Sequence, residues 1–256
     1  MTRIGIVGLG SMGSGIAHNL LKKRYPLHVF ARQSAAVAPF VQAGAQAFSS
    51  AAAMARDCDL VFLSLSDAAA VEAVLFGEEG LAQGLRPGSC VVDTSTIAVT
   101  SARKFGERLQ ETGFSFLDAP VSDGQAGAQA GTLGCMVGGP ADVIDDCREV
   151  MGAFCKTITR VGDLGAGQTV KACNQVAVVG ALLGVADAMA LASAQGVDPA
   201  PMRKDMQIAL DTARAPGAVL PIAALAEQML DAPCESGRPD VDWCAIALEP
   251  QRKEPS

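Results

Sequence analysis

Histidine is nearly absent: the 256 residues hold only His18 and His28. Both fall in the first strand–helix–strand stretch, away from the loops where chemistry is expected, so a proton-transferring group has to come from another residue type. Basic runs are missing as well. Lys and Arg number 20 against 27 Asp and Glu, a net charge of -7, with an isoelectric point near 4.9. No window gathers the cations into a stripe, which sets aside nucleic acid and anionic membrane surfaces as partners. No Cys-x-x-Cys pair occurs among Cys58, Cys90, Cys135, Cys147, Cys155, Cys173, Cys234 and Cys244. They sit singly, mostly in apolar runs, and read as small buried hydrophobes in a reducing compartment, with no metal site expected. The longest apolar run, Val176–Ala186, falls short of the roughly 18 residues a membrane helix needs, and Asp187 closes it. The chain enters a strand-like run without a charged region and a long apolar one before it, so no secretory signal is expected and the cytoplasm is the expected compartment.

What the chain does have is apolar mass: 50% of its residues, enough to bury one large core or two small ones. Arg3–Val7 is a continuous run fit for a strand buried on both faces. It passes into Gly8-Leu9-Gly10-Ser11-Met12-Gly13 and then into a helical pattern, Ile16–Leu21. The spacing of these glycines has a physical reading. Gly8 permits the tight turn, Gly10 lets a pyrophosphate approach the backbone, and Gly13 lets helix and strand pack closely. The helix N-terminus then faces the phosphates, so the loop is expected to bind a dinucleotide. A second strand, Leu27–Ala31, should end in a carboxylate that grips the ribose 2′-hydroxyl of NAD, yet Arg32 stands there, followed by Gln33 and Ser34. A guanidinium suits a 2′-phosphate, which favours NADP with NAD possible; the other reading is a solvated Arg32 stacking on adenine in either cofactor.

Helix and strand go on alternating: Ser50–Arg56, Leu60–Ser64, Ala68–Leu75, Cys90–Asp93, Ser101–Glu111 and Phe114–Leu117. Repeated units of this kind imply a parallel sheet with helices on both faces and ligands at the carboxyl ends of the strands. That edge carries Ser64-Leu65-Ser66 and Asp93-Thr94-Ser95-Thr96, with Leu65 and Thr96 expected at the cofactor. Ser95 and Thr96 serve equally well as caps of the next helix. Asp118–Leu133 then packs Ser122, Gly124, Gly127 and Gly131 into an otherwise apolar chain; a Gly-rich turn with free backbone N–H groups suits a small anion, and a Gly-rich hairpin fits the same residues. Further elements are expected at Leu133–Val137, at Ala141–Met151 with Pro140 at its first position, and at Thr157–Val161. From Gln168 onward the strands stop. Gln168–Ala194 reads as one long helix, with Lys171, Asn174 and Gln175 on one face. Helices are also expected at Met202–Ala213, which carries Lys204 and Asp205, and at Ile222–Leu230. The fold class is therefore α/β: a Rossmann-type doubly wound sheet over residues 1–163, then a smaller all-α domain over 164–256.

Three ordered motifs resemble the β-hydroxyacid dehydrogenase family, which includes 3-hydroxyisobutyrate dehydrogenase and tartronate semialdehyde reductase. They are Gly8–Gly13, Asp118-Ala-Pro-Val-Ser122 through Gly131-Thr-Leu133, and Gly167-Gln-Thr-Val-Lys171-Ala-Cys-Asn174. The resemblance implies an active site between the Rossmann domain and the helical domain, and a dimer or tetramer built on the helical part. It implies Lys171 as the catalytic residue and Ser122 and Gly124 at the substrate carboxylate. It also implies Thr96 at the cofactor and Lys204 toward the nicotinamide end. The chemistry agrees, because oxidising an alcohol sends a hydride to the nicotinamide and a proton to a base. With the histidines misplaced, a lysine desolvated to a lower pKa is the natural base.

The chain departs from the family's pattern in places. Ser122-Asp123-Gly124 replaces the usual Ser-Gly-Gly, and a left-handed backbone there would favour Asn or Asp among non-glycine residues. Gln175 replaces an Asn, so that Asn174 or Gln175 would hold the substrate hydroxyl, and the segment before Lys204 is short. Two readings follow. One is an oxidoreductase interconverting a short 3-hydroxy acid and its semialdehyde; the other is a catalytically degenerate cofactor-binding relative acting as a structural or regulatory subunit. 6-Phosphogluconate dehydrogenase shares the architecture but uses a much larger helical domain.

Overall fold

Strand β1 (Ile4–Val7) is buried along its whole length and lies at the centre of a parallel sheet. The computed structural model describes residues 2–196. The expected helices Met202–Ala213 and Ile222–Leu230, with Lys204 and Asp205, lie outside the described residues.

After β1 come α1 (Ser11–Lys22), β2 (Leu27–Phe30), α2 (Ala38–Gln42), β3 (Gln46–Ala47), α3 (Ala51–Ala55), β4 (Leu60–Leu63), α4 (Ala68–Phe76), β5 (Cys90–Asp93), α5 (Val99–Gln110) and β6 (Ser115–Asp118). There follow β7 (Val121–Ser122), α6 (Gly124–Ala130), β8 (Leu133–Gly138), α7 (Ala141–Met151), β9 (Cys155–Gly162) and α8 (Ala166–Ala194). The sheet runs β3-β2-β1-β4-β5-β6-β8-β7, with β9 beside β8. The strands from β3 to β6 are all parallel, and β8 is antiparallel to β6 and β7. This is the doubly wound order, whose strand sequence reverses between β1 and β4 and opens a crevice at their carboxyl ends.

Alternation along each strand divides the side chains between two cores. Ile4, Ile6, Leu60, Phe62 and Val92 face one side with α1 and α7, while Val7, Val61, Leu63 and Val91 face the other with Met54, Leu75 and Phe105. Phe62 meets Phe154 edge to face at 5.2 Å and pins the sheet to the segment after α7. Pro140 stands one place earlier than expected, as the cap of α7. The compact unit containing the sheet runs to Ala172, inside α8, and Cys173 opens a second unit. Among the described residues no helix is long and apolar enough to cross a membrane.

Candidate active site at the carboxyl edge of the sheet

At the end of β1 the chain turns through Gly8, whose φ of 95° lies in the left-handed region. A methyl on Gly8 would strike the carbonyl of Ser64, and one on Gly13 would strike the carbonyl of Gly8. Gly10 differs: nothing lies within 4 Å of where its Cβ would be. Gly10 caps α1 with no side-chain hydrogen bond, and no acid stands in the first turn. The positive end of α1 is thus left to an external anion, with Gly10 giving it room. Ser14 tightens the loop by donating from its hydroxyl to the Leu9 carbonyl at 2.7 Å. Ser11 is exposed and Met12 half-buried at this rim. These residues fit the pyrophosphate of a dinucleotide. Arg32, just past β2, is exposed. Asp67 lies near it: the Ala70 N–H, the Ser66 hydroxyl and, more weakly, the charge of Arg32 hold the Asp67 carboxyl below its ordinary range.

Ser95 joins the ends of β4 and β5, its hydroxyl accepting the Leu65 N–H at 2.9 Å. Thr94 donates to the Leu63 carbonyl at 2.6 Å. Neither Ser95 nor Thr96 caps α5, which starts behind Ala98 without a side-chain cap, so the capping alternative is corrected. The reason is that Ser95 is buried and already engaged by β4. Thr96 is exposed on the edge and Leu65 half-buried.

Asp118–Leu133 is no open loop. It forms β7, whose Ser122 is paired with Gly134, and then the short helix α6. The open-loop reading is corrected, because the Ala and Gln between the glycines are helix formers; the free N–H groups are those of the first turn of α6, at Gly124, Gln125 and Ala126, ahead of the first helical bond from the Gly127 N–H to the Asp123 carbonyl. Ser122 donates to the Gly134 carbonyl at 3.3 Å. Asp123 has φ 76° and Gly124 φ 56°, the left-handed backbone for which Asp is one of the few tolerated side chains. Asp123 is exposed. Helix α6 lies tight on α1: a methyl on Gly15 would fall 2.6 Å from the Ala128 backbone, and Asn19 donates to the Ala128 carbonyl at 2.7 Å.

The first turn of α8 meets the same edge. Gln168 is buried; its amide donates to the Ser95 carbonyl at 2.8 Å and its side-chain oxygen accepts the Ile97 N–H at 3.1 Å. Lys171 follows three residues later and is half-buried. Burial pulls its amine below the ordinary lysine range, and the carboxylate of Asp123 pushes partly the other way. Lys171 thus lies within electrostatic range of Asp123, three residues after a glutamine bonded to the two neighbours of Thr96. Asn174 and Gln175 continue along α8 at helical spacing from Lys171. Lys204 lies outside the described residues. Among those residues no cluster of His, Cys, Asp and Glu has a metal-binding arrangement.

Sequence reasoning gave no role to Asp93 or Asp118. Both are fully buried and stand opposite one another at the ends of β5 and β6. Burial pushes the Asp93 carboxyl up to about 7, against hydrogen bonds from Ser95, and Asp118 adds to the rise. The Asp93 Oδ1 accepts the Ser95 N–H at 2.9 Å, while its Oδ2 has no partner among the described residues. The signal was available: two successive apolar runs, Cys-Val-Val-Asp93 and Ser-Phe-Leu-Asp118, each close on an acid at the same register.

Residues 3–162 match the NAD binding domain of 6-phosphogluconate dehydrogenase. An NAD-dependent L-serine dehydrogenase of Pseudomonas aeruginosa is 42% identical over 198 residues, which make up 77% of this chain and 66% of that protein, just under two thirds of its length. A 2-hydroxy-3-oxopropionate reductase of Escherichia coli is 31% identical over 284 residues, covering 96% of this chain and 97% of the reductase. This chain belongs to the β-hydroxyacid dehydrogenase family. Its β1 to β9 region is accordingly an NAD(P)-binding Rossmann domain. The solved 3-hydroxyisobutyrate dehydrogenase of Mycobacterium tuberculosis with L-serine superposes on it with a TM-score of 0.76 at 27% identity, over 99% of this chain and 100% of that one. The alignment with the reductase is longer than the 256-residue chain, so that member of the family has residues with no counterpart here.

Proposed function

We propose that this chain is a nicotinamide-dependent oxidoreductase that interconverts a short 3-hydroxy acid and its semialdehyde, with Lys171 as general acid and base. The observation that carries this reading is the half-buried amine of Lys171, held on a helix whose Gln168, three residues earlier, is bonded to the strand edge at Ser95 and Ile97. A desolvated lysine reaches its neutral form at lower pH and so can take a proton from an alcohol. The cofactor supplies the hydride acceptor or donor. The residues that would hold it are Gly8, Leu9, Gly10, Ser11, Met12 and Gly13 at the pyrophosphate, Arg32 at the 2′-phosphate, Leu65 and Thr96 at the edge, and Lys204. Ser122 and Gly124 would hold the substrate carboxylate, and Asn174 and Gln175 its hydroxyl. Arg32 supports a preference for NADP, and Asp67 nearby moderates it.

In the same reading, residues 164–256 form a helical domain and mediate a homodimer or tetramer. Val176, Val179 and Leu183 support this, being exposed at helical spacing on α8. The reading of a cofactor-binding relative without turnover is favoured by the length lacking against the reductase.

The deciding experiment assays 3-hydroxyisobutyrate, L-serine and 2-hydroxy-3-oxopropionate with both cofactors. Turnover with the wild type, a loss of kcat on the order of 100-fold or more in Lys171→Ala, and unchanged cofactor affinity are expected. Full turnover in Lys171→Ala overturns the role of Lys171. Cofactor binding with no turnover on any of these compounds selects the second reading. Equal use of NADH and NADPH removes the role given to Arg32.

A further inference from the structure

The first turn of α8 is tied to the sheet by an acid that no part of the reaction uses. Asp118, at the end of β6, is fully buried. Its Oδ1 accepts the Gly165 N–H at 2.7 Å and its Oδ2 accepts the Gln168 N–H at 2.8 Å. Gly165 immediately precedes α8, and Gln168 is its third residue. These are donors that a helix leaves without internal partners, normally satisfied by a side chain at the cap itself. Here the acceptor comes from a strand 47 and 50 positions away. The carboxyl group also stands at the positive end of a 29-residue helix.

The surroundings leave this clamp no slack. A methyl on Gly167 would lie 2.6 Å from the Asp118 carbonyl and 2.8 Å from its Oδ2. On the far side of the turn, the side chain of Gln168 bonds Ser95 and Ile97. The turn is therefore held from β6 through its backbone and from the end of β5 through a side chain. Its height and rotation against the sheet are both fixed.

We infer that Asp118 is a positioning residue, which by clamping Gly165 and Gln168 sets the place of the following turn and so of Lys171 relative to the cofactor edge. The inference rests on the proposed role of Lys171. An acid-base group displaced by about 1 Å loses rate steeply, because proton transfer needs hydrogen-bond reach in the reacting arrangement. The effect falls on kcat, since Asp118 bonds Gly165 and Gln168 and none of the residues of the dinucleotide loop Gly8–Gly13.

The test uses the full chain with Asp118→Asn, which offers one acceptor oxygen and turns an N–H₂ group toward the second donor. Three quantities are read: amide hydrogen exchange at Gly165 and Gln168, the Kd for NADPH, and kcat with the best hydroxy acid substrate of the wild type. The expected result is faster exchange at these amides, an NADPH Kd within twofold of wild type, and a fall in kcat of tenfold or more. A purely structural role would lower the folded fraction without moving kcat per folded molecule. Gln168→Ala keeps Asp118 and removes the links to Ser95 and Ile97; it is expected to show the same pattern more weakly and carries the test if Asp118→Asn does not fold. Wild-type kcat in the folded variants with accelerated exchange overturns the inference. Loss in Lys171→Ala together with full activity in Asp118→Asn overturns the inference alone. Full activity in Lys171→Ala overturns the role of Lys171 and this inference with it.

Discussion

Asp123 sits where a backbone of φ 76° tolerates few side chains, and it brings a carboxylate into range of Lys171. Its effect on the amine has a definite sign. Desolvation pulls the Lys171 pKa down and Asp123 raises it, so removing the charge leaves desolvation less opposed. Asp123→Asn tolerates the left-handed backbone and removes only the charge. The ascending limb of kcat/KM against pH, measured for oxidation of a hydroxy acid, is expected to move to lower pH in this variant. A limb that stays in place or moves upward contradicts the electrostatic link. Gly10 offers a second residue-scale contrast with Gly13. Ala at 10 meets nothing and has an ordinary φ of -72°, so Gly10→Ala is expected to melt with the wild type while binding NADPH about tenfold more weakly, as its methyl takes the room left for phosphate. Ala at 13 collides with the Gly8 carbonyl, so Gly13→Ala is expected to lower both the melting temperature and the affinity. Differential scanning calorimetry with and without NADPH separates the two.

At the scale of elements, long periodic stretches were legible and short ones were not. β1, β4, β5, α7 and α8 follow from apolar runs and from breakers at their ends. β3 has two residues and α2 five, with Pro39 inside, so neither is long enough to show a period. α6 was hidden because glycines at Gly124, Gly127 and Gly131 read as a loop, whereas Gly127 is there to clear the Asp123 side chain and Gly131 ends the helix in a left-handed conformation. The candidate site divides likewise. The glycine loop and Lys171 announce themselves by spacing and by chemistry. The clamp at Asp118 joins residues about 50 positions apart, a pairing that no local pattern contains.

For the whole molecule, the buried pair of Asp93 and Asp118 makes stability depend on pH in a direction opposite to most carboxylates. Asp93 has a folded-state pKa raised to about 7 from 3.8, chiefly by burial. Between those values the folded chain holds a proton that the unfolded chain has released, so the stabilising contribution is complete below pH 3.8 and is lost as pH rises toward 7. Asp93→Asn cannot ionise and keeps an oxygen for the Ser95 N–H. Urea unfolding at pH 5 and at pH 7.5 is expected to show this variant gaining on the wild type at the higher pH. An equal difference at the two values would count against a protonated Asp93.

The meeting of Gly15 with Ala128, locked by Asn19, has a further consequence. It ties the helix behind the coenzyme loop to the helix that follows Ser122 with no padding between their main chains. With Ser122 and Gly124 holding the substrate carboxylate as proposed, neither ligand's seat can be reshaped in isolation. On that proposal, an engineer who swaps coenzyme preference by shifting the first helix would, through this join, retune the choice of acid as well.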